Sequence, residues 1–293
     1  MPRILVILAF AALAAACDIQ ETTLARPEHI IVAEVVLVAD AELQTAWLHH
    51  TRVSDPESDP RVRGAGVVVT RADGNALIFG EVQDSMCYFR RRDAGNRVLG
   101  TCYAASAANF VRPGESYQLE IRTADGRILT GSTVVPDAFE VVRPEGEEHT
   151  IPAGTHYEIA WTRARNAWVY VVETWFYGLG AALAPLEVPQ DPILFRGLSI
   201  SGSDTTLTLP REVGIFDRFE KEKTPVLIAL QKGLPPGVHA VTTISAADRN
   251  YVNWVRAGTF NPNGQVRVPS VHGTGGTGVF GSVVQRTVTI GSR

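Results

Sequence analysis

The chain has 293 residues, 45% of them hydrophobic and 20% charged, with 27 Lys and Arg against 31 Asp and Glu. That composition is too apolar for a disordered chain, and a formal charge of −4 without a basic stripe argues against nucleic-acid binding. The length is too great for one small sandwich and suits two domains of ordinary size.

The first residues carry the clearest signal. Arg3 is followed by an apolar segment from Ile4 to Leu13 and by the small residues Ala14, Ala15 and Ala16, which end at Cys17. This is the pattern of a secretory signal and is too short for a spanning helix. A cysteine directly after small residues resembles the lipobox of bacterial lipoproteins, in which the thiol receives a diacylglycerol and the new N-terminus is acylated with a chain such as palmitate. Two or more acyl chains hold a protein on a membrane without any spanning element. A soluble secreted protein is the other reading, because Ala14 stands where that box more often has Leu. Residues 1–16 are therefore read as a signal peptide and 17–28 as a polar tether to the membrane.

From Ile30 the chain is a succession of short runs rich in Val, Ile, Thr and aromatics, separated by turn residues. The runs are 30–38, 45–52, 65–71, 76–81, 87–91, 97–104, 117–123 and 127–134. Asp73-Gly74-Asn75 and Asp125-Gly126 are hairpin signals. Asp55, Glu57 and Asp59, spaced by Pro56 and Pro60, make an exposed acidic loop that lacks the glycine and terminal glutamate of an EF-hand. Cys87 and Cys102 flank a turn signal at Asp93-Ala94-Gly95-Asn96. In a hairpin they face each other at a separation that suits a disulfide, and with Cys17 set aside they form a pair fit for an oxidising compartment. Two unpaired buried thiols are the alternative. Arg90, Arg91 and Arg92 fall near the tip of that hairpin, as a solvated cluster.

The charged stretch from Arg143 through Pro144 and Gly146 to Glu148 has the composition of a linker. It divides an N-terminal β-sandwich, residues 29–142, from a C-terminal one, residues 149–293. Strands are expected over 157–162, 167–177, 194–199, 205–209, 226–231 and 239–245, and a closing strand over 279–290. The alternating aromatics of Tyr157–Trp161 and Trp168–Trp175 resemble the early strands of fibronectin-type sandwiches, with Trp47, Trp161, Trp168 and Trp175 in the core. One short helix is expected from Ser245 as cap to about Arg256, closed by Gly258. The fold class is thus all-β, two tandem β-sandwich domains with at most one short helix.

No assembled catalytic or cofactor motif is legible. Gly273, Gly275 and Gly278 match the dinucleotide fingerprint letter for letter, yet a strand follows them where the nucleotide site needs a helix. They read as a glycine loop, and no nucleotide is expected. His49 and His50 are adjacent, so on a strand they point to opposite faces and do not share a metal. No zinc spacing, nucleophile elbow or phosphate loop occurs. The sequence points away from an enzyme, with no cofactor and no metal.

The order of Cys17-Asp18, the strand Ile30–Val36, Gly64–Thr70 with Asp73-Gly74, Tyr117–Ile121 with Asp125-Gly126, Val134–Pro136 and the late Gly275–Gly281 resembles the envelope lipoproteins grouped as domain of unknown function 4249. The resemblance covers nearly the whole chain after Cys17 and differs in the cysteine pair and in a shorter tether. It implies an Ig- or transthyretin-like N-terminal sandwich, a second β domain, and a non-catalytic accessory role beside a TonB-dependent outer-membrane transporter. No catalytic residues come with it. The expected location is the bacterial cell envelope, the outer membrane rather than the inner, although Asp18 resembles an inner-membrane retention signal. A surface module for glycan or peptide is the second reading, and a structural role in envelope assembly the third.

Overall fold

A computed structural model describes residues 30–51, 59–88, 100–213, 221–260 and 268–293. In chain order its elements are β1 (Ile31–Val38), β2 (Leu43–His50), β3 (Gly66–Arg71), β4 (Ala76–Val82), α1 (Ser85–Tyr88), β5 (Thr101–Ser106), β6 (Ser116–Arg122), β7 (Ile128–Val134), β8 (Val141–Arg143) and β9 (Glu148–Ile151). There follow β10 (Tyr157–Trp161), β11 (Val169–Tyr177), α2 (Leu179–Ala182), β12 (Ile193–Leu198), β13 (Thr206–Leu209), α3 (Thr224–Leu230), β14 (His239–Ala247), α4 (Arg249–Phe260), β15 (Val271–Gly273) and β16 (Gly276–Ser292).

Two hairpins form where the turn residues placed them. Thr70 pairs with Ala76 and Arg122 with Ile128, and Gly74 and Gly126 supply the positive φ that each turn needs. Alternation then sends Val67, Val69, Phe79, Leu119 and Ile121 to one buried face.

The larger architecture differs from two tandem sandwiches. The strands β1, β2, β5, β4, β3, β6, β7, β15 and β16 pair in that order, and β16 pairs back onto β1 in parallel from Ile31 opposite Gly276 to Val38 opposite Val283. Nine strands thus close into a barrel whose interior is filled by side chains such as Ile31, Val35, Leu48, Ile121 and Phe280. Two of its strands, β15 and β16, come from the C-terminal end of the chain. Closure removes the free edges that an open sheet of these short strands would carry.

β16 then continues past the barrel. From Val283 to Gly291 it pairs with β14, which pairs with β11, which pairs with β12, while β9 runs parallel to its last four residues. A separate three-stranded sheet, in the order β13-β10-β8, packs on this extension. Trp161 of β10 meets Tyr170 of β11 edge to face at 5.2 Å, and Phe139 meets the same ring at 5.6 Å. The cluster is continuous with the barrel interior.

Four helical segments occur among the described residues, against the single short helix expected. The run from Val226 forms α3 rather than a strand: Pro225 sits in its first turn, and Val226, Leu227 and Leu230 bury one helical face. The long helix α4 begins three residues later than expected, because Asp248 and not Ser245 caps it. The Tyr251 N–H donates to Asp248 Oδ1 at 2.7 Å, whereas Ser245 is still in β14. Gly258 lies within α4 rather than beyond its end.

Candidate functional site

Cys87 and Cys102 form a disulfide, with Cα atoms 5.7 Å apart. The expected hairpin is corrected at one end. Cys102 is on β5, but Cys87 sits in the turn α1, where its N–H donates to the Asp84 carbonyl. The bridge pins α1 to the outer face of the barrel beside Trp47 and Val82. A Cβ on Gly100 would stand 2.6 Å from the Trp47 ring, so the chain enters β5 pressed against that indole. Cys17, the arginines at 90–92 and the turn signal at 93–96 lie outside the described residues, as do residues 55 and 57 of the acidic loop. Asp59 pairs with Arg61 at 3.4 Å.

The two histidines separate as the strand period requires, His49 opposite Val32 and His50 opposite Ile31. His49 Nε2 lies 3.5 Å from Glu34 Oε1, both side chains being largely buried. Among the described residues no three His, Cys, Asp or Glu side chains gather in a metal-binding arrangement. The glycine motif is a hairpin. Thr274 and Gly275 join β15 to β16, while Gly276 and Gly278 are strand residues packed against Leu129 and the Ala33 backbone.

One buried acid had no warning in the sequence beyond its place before a helix. Asp248 is 6% exposed, accepts a hydrogen bond from Thr133 Oγ1 at 2.6 Å through Oδ2 and caps α4 through Oδ1. The Ser282 Oγ lies 2.8 Å from Thr133 Oγ1 and 3.2 Å from the Val134 carbonyl oxygen, and its single proton is donated to one of the two. Burial pushes the Asp248 carboxyl above its ordinary value, against these hydrogen bonds, which pull it down. The cluster ties β7 and β16 of the barrel to the start of α4. With its polar atoms hydrogen-bonded to one another and to neighbouring backbone, it acts as a buried brace.

An exposed aromatic surface lies on the extension of the sheet. Trp47 and Trp161 are buried as expected, but Trp168 is 50% exposed at the mouth of β11. Alternation assigns a face and does not say that the sheet is covered at that end. Along β11 the alternate residues Glu173, Trp175 and Tyr177 are partly exposed on one face. Arg196 of β12 donates to Glu173 at 2.7 Å, and the Tyr177 ring stacks on His239 of β14 with centroids 4.7 Å apart and planes 1° from parallel. Rings and an ion pair thereby stand in successive rows, about 7 Å apart along the strand. Such a face offers aromatic planes for C–H groups and charged groups for hydroxyls or amides.

Among the described residues no helix is long and apolar enough to cross a membrane. No family model matches the chain. No curated protein matches it either. Among solved structures it is similar, over 60% of its length, to the crystal structure of a DUF4785 family protein from Legionella pneumophila, with 9% identity and a TM-score of 0.21. The matched region is 45% of that protein, less than half of its length. A similarity of this degree carries no argument about fold or function.

Proposed function

We propose that the protein is a lipid-anchored component of a bacterial cell envelope with a non-catalytic binding or accessory role, partnering a TonB-dependent outer-membrane transporter. The observation that carries the reading is the Cys87–Cys102 bridge. A buried disulfide fits a compartment outside the cytosol, and it leaves Cys17 as the one cysteine outside the bridge, directly after the small residues of the signal. The acyl anchor, supported by the residues from Met1 to Cys17, belongs to the same proposal, as do the relationship to domain of unknown function 4249 and the outer-membrane address, supported by the motifs from Ile30 to Gly281. Affinity purification of tagged protein from solubilised membranes tests the partnership. Co-recovery of a TonB-dependent transporter is expected, and recovery of no envelope protein above background contradicts it.

A second reading, a glycan-binding surface, draws support from the rows of Glu173, Trp175 and Tyr177 with Arg196 and His239. Tryptophan fluorescence on titration with oligosaccharides, repeated with Trp175→Ala, tests it. A response lost in the variant supports it, and a flat response from the unaltered protein removes it.

A further inference from the structure

Two loops at one end of the extended sheet combine an apolar tip with basic groups. Ile200, just after β12, is 93% exposed, the most exposed of the large hydrophobic residues described. Its loop is fixed from below. The Ile200 N–H donates to Asp204 Oδ2 at 3.1 Å, the Ser199 hydroxyl accepts from the Tyr170 N–H at 2.8 Å, and Gly202 packs on the carbonyls of Ala167 and Trp168. That packing sets Ile200 beside the loop that ends in the half-exposed Trp168. The Arg249 guanidinium lies over the Trp168 ring, 5.2 Å from its centroid. Arg163 and Arg165, earlier in the same loop, line a shallow cleft with Pro113, Asp137 and Ala138, in which Arg165 donates to Asp137 at 2.6 Å.

An aliphatic tip, an indole beside it and arginines behind are the components of a membrane-interface contact. The apolar group enters the acyl boundary, the indole sits at headgroup depth and the guanidinium meets phosphate. Protein partners instead require on the order of 1,200 Å² or more of complementary surface. A tip of two apolar residues is far smaller than that. We infer that the Ile200–Trp168 tip, with Arg249, docks this protein onto an anionic lipid surface.

The tether permits it, a step that rests on acylation at Cys17. Val38, the far end of β1, shares an apolar cluster with Val169, the neighbour of Trp168, to which it is linked across the sheet through Val283 and Ala247. The tether meets the opposite end of β1, at Ile30. The tip is therefore one eight-residue strand along β1 and three strand spacings across the sheet, roughly 30 Å in all, from the point where the tether joins. Roughly 13 residues from Cys17 to Ile30 span at most about 45 Å. Anchor and tip can occupy one bilayer.

The test uses the mature chain with Cys17→Ser, purified without acyl groups and sedimented with vesicles of phosphatidylglycerol and phosphatidylcholine, or of phosphatidylcholine alone. Pelleting with the anionic vesicles is expected. Ile200→Asp lowers the partition coefficient about tenfold or more, the effect of withholding one aliphatic side chain from lipid. Ile228→Asp, at another exposed aliphatic position (63%), leaves it unchanged. Absence of pelleting overturns the proposal, as do equal effects of the two substitutions. Pelleting that requires added envelope proteins also overturns it, and assigns the tip to a protein partner. Because the protein tested has no lipid, failure of the acylation reading shows separately, in the mass of the native protein.

Discussion

Substituting Gly278 by alanine probes the seam at which the barrel closes. Gly278 pairs with Ala33 across the parallel junction of β16 and β1, and its φ of +146° is one that side-chain-bearing residues rarely adopt. A Cβ there would overlap the Ala33 carbonyl oxygen and stand 2.7 Å from the Ala33 nitrogen. The obstruction is backbone, so no rotamer change relieves it. The dihedral costs about 1–3 kcal/mol and forced overpacking about as much again, for a total of about 2–6 kcal/mol. Against a global stability of roughly 5–15 kcal/mol this is a large fraction. Two controls separate the terms. Gly74 has positive φ but open space, so Gly74→Ala costs only about 1–2 kcal/mol. Gly80 has neither constraint, so Gly80→Ala falls within about 1 kcal/mol of the parent. Urea unfolding followed by tryptophan fluorescence ranks the three. A Gly278→Ala variant no less stable than Gly74→Ala would refute closure at this seam.

Other consequences are equally direct. Replacing Cys87 and Cys102 together by serine opens a loop of 15 residues and lowers stability by about 3 kcal/mol in the chain-entropy model, read as a fall in the urea midpoint; an unchanged midpoint contradicts it. Asp248→Asn flattens the dependence of stability on pH. Burial raises the folded-state pKa of this carboxyl above its unfolded value. Its contribution is thus fully present below about pH 4 and is lost as pH rises through the folded value. Midpoints measured from acid to neutral pH diverge between parent and variant on this account, and parallel curves reject it.

Local features were legible in the sequence because local residues decide them. Asp73-Gly74-Asn75 and Asp125-Gly126 mark their hairpins, since a positive φ at glycine is a property of the turn alone. The disulfide pair was legible from cysteine arithmetic, but not the helical turn at Cys87, which a strand-like composition concealed. Barrel closure had no such mark: Ile31 and Gly276 are partners from opposite ends of the chain, and parallel pairing leaves no turn signature between them. In the sequence Gly278 reads as part of a glycine loop, whereas its role is to let the backbones of two strands approach. Of the candidate surface, the sequence showed that aromatics abound near β11. It did not show that Trp168 reaches solvent, because exposure at a strand end depends on what packs there, here the loop through Ile200 and Gly202.

The proposal that the chain works at a membrane stands on residue 17. Mass spectrometry of the N-terminal peptide from protein extracted out of the native envelope tests it most directly. The expected peptide begins at Cys17 and carries a diacylglyceryl thioether with a further acyl group on its amine. An N-terminus at any other residue, without lipid, contradicts the account.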